Sequence, residues 1–212
     1  MKKILLSFFA AIYILHASLA EATCRDDFFS NTSCCTGFSL DAKYAAFFPL
    51  DSRVRKIYGS SLPMFTLEAN MKTSRCLEVW LDTSYVFGNG HSCSCDKNKT
   101  HLNFVPISLG VKYIYSLCDR TDFYIGAGPC YSFFNTKDHS EFVHENTSKN
   151  NWGAIVKSGF IYHYNECMFL EGFFNYMYQK FSFGKRSDDP FVYRHDANLS
   201  SLQLGVALGW NF

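Results

Sequence analysis

Nowhere does this chain carry the roughly twenty consecutive apolar residues that a membrane-spanning helix needs. Its apolar stretch near the start, Ile4 to Leu15, is only about a dozen residues long. The chain also lacks an excess of either charge, with 20 Lys and Arg against 19 Asp and Glu. So balanced a chain has no basic footprint for nucleic acid, and no nucleic-acid partner is expected. A recognised zinc-ligand spacing and a lipid-A deacylase motif are also missing. No cofactor and no enzymatic activity are therefore expected.

What is present is aromatic weight without an apolar run. The chain holds 22 Phe and 13 Tyr, and aromatics make up 18% of it, yet its overall hydropathy is close to neutral. A transmembrane β-barrel hides hydrophobicity in this way, because every second strand residue faces the lumen. A secreted β-sandwich also shows short alternating strands and is the soluble alternative.

Alternation is clearest at the end of the chain. In SLQLGVALGWNF, Leu202, Leu204, Val206, Leu208, Trp210 and Phe212 share one parity, and Ser201, Gln203, Gly205, Ala207, Gly209 and Asn211 share the other. Successive strand residues point to opposite faces, so this ribbon is apolar on one side and polar on the other. At the other end, Lys2 and Lys3, the apolar run and the small residues Ala17, Ser18 and Ala20 read as a secretory signal peptide over residues 1–20. Removing it takes the formal charge from +1 to about −1.

Seven further strands can be read: 37–47, 64–72, 76–87, 102–115, 122–133, 152–162 and 168–179. Long segments at 48–63, 88–101, 134–151 and 180–198 alternate with short turns near 72–75, 116–121 and 163–166. An even number of antiparallel strands with this alternation predicts an all-β, eight-stranded, up-and-down transmembrane barrel over 37–212. A cysteine-containing tail fills 21–36, and both termini are expected on the periplasmic side of a bacterial outer membrane.

The chain resembles the small eight-stranded outer-membrane barrels of the OmpX and OmpW type. The likeness lies in FVPISLGVKYIY (Phe104 to Tyr115), DFYIGAGPCYSF (Asp122 to Phe133) and the terminal strand. It implies that Trp210 and Phe212 serve as the signal read by the barrel-insertion machinery. It does not fix one activity, since this fold carries adhesins, small pores, lipid enzymes and structural proteins.

Parity places Asp41, Glu68, Glu78, Asp82 and Glu171 inside the predicted barrel with Lys43, Lys112 and Lys157. In so narrow a lumen opposite charges should pair, because an unpaired buried charge is expensive. A plugged interior is expected, with a narrow gated passage as the alternative.

Cysteine is abundant, with 9 in the chain. Cys76, Cys118 and Cys167 fall at the three short turns, and Cys24, Cys34 and Cys35 lie in the tail. Six thiols are thus expected in one oxidising compartment, where disulfides are the usual outcome. Bridging within the chain and cross-linking to neighbouring envelope proteins both remain open. The composition is similar to that of the cysteine-rich envelopes of chlamydia-like bacteria. Cys130 falls on the inner face of the fifth strand. Cys93 and Cys95, within HSCSCDKNKTH (His91 to His101), sit on an outer loop as candidate disulfide cysteines; metal binding with His91, Asp96 and His101 is the alternative.

The expected role is structural and interactive: an envelope barrel stapled at its periplasmic rim, with outer loops free for contacts. Outer-membrane lipid and lipopolysaccharide are the expected partners, with Arg53, Arg55 and Lys56 among the basic loop residues suited to phosphate. A small-solute or lipid-contacting pore of the OmpW type is the alternative, and a lipid-modifying enzyme using His139, His144 or His195 is the third.

Overall fold

The computed structural model describes residues 37–74, 76–91, 99–139, 144–182 and 196–212. Alternating side chains in eight segments produce eight strands that close on themselves. They are β1 (Phe38–Pro49), β2 (Leu62–Ser74), β3 (Leu77–His91), β4 (Lys99–Cys118), β5 (Thr121–His139), β6 (His144–His163), β7 (Met168–Tyr178) and β10 (Ser201–Asn211). Each pairs antiparallel with its sequence neighbour, and β1 pairs with β10 to close the barrel. Closure removes the unpaired sheet edges that an open sheet would present.

At the end that holds Phe38 and Phe212 the connections are short. Asp119 and Arg120 alone join β4 to β5. Phe212 N donates to Phe38 O at 2.9 Å, and the two rings lie 6.1 Å apart. The closing strand thus ends locked against the first.

The wall is apolar outside. Leu67, Leu81, Leu109, Val111, Ile125, Val156, Leu170, Leu204 and Val206 are all exposed, forming an aliphatic band. Aromatic residues flank it at both ends: Tyr85, Phe87, Phe133, Trp152 and Tyr178 toward the long connections, and Phe38, Tyr115, Phe160, Tyr162 and Phe212 toward the short ones. The 11 residues of β7 or β10, at about 3.3 Å each and a tilt of about 40°, rise roughly 28 Å. That height suits the roughly 25 Å apolar band of an outer-membrane barrel.

At the opposite end the sequence expectation of open loops needs correction. The described residues of 88–101 and 134–151, read as loops, are paired strand. β3 and β4 remain in register to His91↔Lys99, and β5 and β6 to His139↔His144. These stretches are rich in Asn, Ser, Thr and Lys, so apolar periodicity vanishes where the ladder leaves the core, although backbone pairing continues. The first long connection holds a short helix, α1 (Ser52–Tyr58), capped by Asp51, whose side chain accepts from Arg53 N. The Arg53 guanidinium bonded to Asp51 holds that carboxyl below its ordinary range. The fourth long connection begins and ends in a two-stranded ribbon, β8 (Lys180–Ser182) with β9 (Asp196–Asn198).

Candidate functional site

The barrel interior is filled in layers. At its waist, three lysines face four carboxylates. Lys43 Nζ lies 2.7 and 2.9 Å from the two oxygens of Glu171, 2.9 Å from Asp41 and 3.3 Å from Glu68. Lys157 Nζ lies 2.7 Å from the other Glu68 oxygen and also bonds Asp82. Lys112 bonds Glu68 and donates to Asn70 Oδ1 at 2.9 Å. Glu68 therefore touches all three ammonium groups. Every one of these seven residues is at most 5% exposed, so protein groups must replace water around their charges.

Neutral groups complete the waist. Asn70 donates to Asp41 at 2.8 Å, Ser108 donates to Asp82 at 2.8 Å, and Trp80 Nε1 donates to Ser108 at 3.2 Å. The Tyr124 hydroxyl donates to Glu171. Aromatic faces cover the cations: Lys157 stands 4.8 Å over Trp80, Lys112 4.8 Å over Tyr124, and Lys43 5.1 Å over Phe173. Trp80 can lie across the lumen because the strands beside it carry glycine. A Cβ on Gly110 would stand 2.4 Å from the indole, and one on Gly126 2.7 Å.

Toward the long connections the buried residues of the same lumen are uncharged, with Ser132, Gln179, Ser201 and Gln203 beside a large apolar cluster. Phe47, Leu62, Met64, Val86, Leu102, Phe104, Phe134, Ile155, Met177, Phe181 and Leu199 form one buried cluster, against which Val54 and Tyr58 of α1 pack. Toward the short turns, Tyr124, Ile161 and Phe169 form a second, smaller cluster with Ile114.

Of the eight charged residues that parity sends inward, the waist unites seven. Glu78 stands apart: it is half-buried, opposite Lys72 and Lys112 in register, and outside the set of carboxylates bonded to the waist lysines. Tyr124, Asn70 and Ser108 complete the network. Parity alone assigns them inward, but only the fold shows that they bond its charges. Trp210 and Phe212 are 40% and 51% exposed on the outer face of the closing strand.

The cysteines divide into distinct states. Cys76 is disulfide-bonded, and its partner falls outside the described residues. Cys130 is buried and free, with its thiol 3.4 Å from Ser132 Oγ. Cys118 and Cys167 are exposed and free, which corrects any expectation of an internal bridge at these two positions. They lie on β4 and just before β7, three steps apart in strand order, or roughly 14 Å at about 4.8 Å per step. Disulfide formation needs Cα atoms within about 7 Å. Cys24, Cys34, Cys35, Cys93 and Cys95 lie outside the described residues, as does most of the loop motif. His101, at its end, bonds Asn89 Oδ1 at 2.7 Å. His195 and the side chains of His139 and His144 also lie outside that description.

This is the fold of the small eight-stranded outer-membrane barrels, and comparison with solved structures gives the same result. The chain is similar to Neisserial surface protein A (NspA), at 16% identity over 84% of this chain and 99% of that one, with a TM-score of 0.56. It is also similar to the outer membrane protein OprG from Pseudomonas aeruginosa, at 18% identity over 82% and 95% of the two chains, with a TM-score of 0.60. A third similar structure is Ail, the attachment invasion locus protein of Yersinia pestis, solved in complex with the heparin analogue sucrose octasulfate. There the identity is 12% over 82% and 97%, with a TM-score of 0.51. No family model matches the chain, and no curated protein matches it.

Proposed function

We propose that the chain is an integral protein of a bacterial outer membrane, with both termini periplasmic, whose role is structural and interactive rather than conductive. The filled lumen carries this reading. An eight-stranded barrel is only wide enough for side chains, and here a buried charge network, then an apolar cluster with uncharged polar side chains beside it, occupy it. What the barrel leaves available is its surfaces.

The outer surface includes a sheet that continues beyond the barrel. β3 to β6 stay paired there, whereas β7 first meets β6 at Ala154↔Tyr178. Over residues 144–150, no described strand pairs with the other edge of β6. Such an edge can take an extended strand from a partner. The exposed Arg55 and Lys56 of α1, beside the bound Arg53, suit the phosphates of lipopolysaccharide. The exposed aromatic belts and the apolar face of the closing strand support membrane residence and recognition by the insertion machinery. At the other rim, two exposed free thiols are available for covalent ties.

Planar-bilayer recording of the purified, folded chain tests the reading. The expected trace is flat at voltages where porins open. Reproducible unitary steps would overturn it in favour of an OmpW-type pore.

A further inference from the structure

The two free thiols at the short-turn rim carry a more specific consequence. In the turn before β7, Asn165 Oδ1 accepts from the backbone N–H groups of Cys167 and Met168, at 3.0 and 2.7 Å. Cys167 O accepts from Asn211 N at 2.8 Å, which holds the residue beside the closing strand. Cys118 ends β4 after a register shift and pairs with Thr121 across the tight turn. Both are anchored through the backbone while their side chains remain exposed.

Neither has a partner within reach among the described cysteines. The two are roughly 14 Å apart. Cys76 is already bonded; moreover Ile114 N bonds Cys76 O, so Cys118 lies four residues, or roughly 13 Å, farther along β4. Cys130 is buried in the lumen.

We propose that Cys118 and Cys167 are a pair of intermolecular attachment sites that join copies of this chain through disulfides into a polymer. The proposal rests on the reading that the barrel spans a membrane with this rim in an oxidising compartment. A membrane holds all copies at one depth and in one orientation, so the rim thiols of one copy are level with those of the next. Two sites on one chain make it bivalent: a single site could only close a dimer, whereas two extend a series.

Forming each link needs a two-electron acceptor, supplied by the oxidised disulfide of a thiol–disulfide oxidoreductase. A rim thiolate attacks one donor sulfur, giving a mixed disulfide and releasing one donor thiolate. The thiolate of a second copy then attacks the protein sulfur of that mixed disulfide. The inter-copy bond forms, the second donor thiolate leaves, and the donor ends as a dithiol.

The test uses the full chain in outer membranes, quenched with N-ethylmaleimide and separated without reductant. Wild type should give a ladder of monomer, dimer, trimer and higher species that collapses with dithiothreitol. Cys118→Ser or Cys167→Ser alone should stop at dimer, the double variant at monomer, and Cys130→Ser should keep the full ladder. A wild-type chain that stays monomeric with maleimide-reactive rim thiols would overturn the proposal. So would a ladder in the double variant, trimers from either single variant, or a second protein in the dimer band by mass spectrometry. Heating the same samples with reductant separates the two readings: loss of the folded-to-unfolded mobility shift defeats the membrane barrel, whereas a retained shift without a ladder defeats only the cross-links.

Discussion

Two stretches of one lumen, enclosed by the same strands, differ in charge: one is ionic, the other holds only uncharged buried side chains. At the waist, Glu68 is bonded to Lys43, Lys112 and Lys157. Toward the long connections, Leu102, Phe104, Met177 and Phe181 belong to one apolar cluster, and the buried polar groups beside it, such as Gln203 bonded to Met177 Sδ, are uncharged. Both exclude water, but they tolerate change differently. Dispersion and burial scale with volume, so an apolar filler can be exchanged for another of similar size. A buried charge has no such substitute, since removing one partner strands the others in a medium that cannot solvate them.

The largest expected effect therefore comes from a change of almost no volume. Glu68→Gln should destabilise the barrel by about 3–5 kcal/mol, read as the urea concentration at which the compact electrophoretic form is lost. Adding Lys112→Met to that variant should recover part of the loss; if Glu68→Gln alone is mild, the waist is not the closed electrostatic unit described here.

Moving a charge one residue along β2, to the other side of the wall, sharpens the contrast. Leu67 is 66% exposed on the aliphatic band, and Leu67→Arg should cost about 2–4 kcal/mol in lipid. The same substitution should cost little for the barrel folded in detergent micelles that let the guanidinium reach water, and equal cost in both would argue against the lipid-facing assignment.

The smallest effect belongs to the apolar half. Leu102→Met, a swap of similar volume, should lower stability by about 1 kcal/mol or less. A loss as large as that of Glu68→Gln in the same urea titration would erase the distinction between the two fillings.

How much of this was legible depended on whether neighbouring residues or distant ones decided it. Alternation at 201–212 reads directly as a two-faced strand, and the same parity sends Asp41, Glu68 and Asp82 inward on three successive strands. Parity says nothing about partners across a lumen. Lys43 and Glu171, 128 residues apart, meet only because β1 and β7 flank the closing strand. The paired extensions of β3 to β6 were hidden for a different reason: beyond the core, backbone hydrogen bonds hold a ladder that needs no apolar period. The cysteines divided likewise, since spacing put three at turns, while only the fold set Cys118 and Cys167 too far apart to join.

The sequence by itself determined a barrel of eight strands, its greasy outside and its charged inside, because a period of two is a local property of an extended chain. Tertiary structure decided which charges neutralise each other, where the lumen turns from ionic to uncharged, and that Cys118 and Cys167 stay free. Those outcomes depend on closure, which sets distances between residues that the chain order keeps far apart.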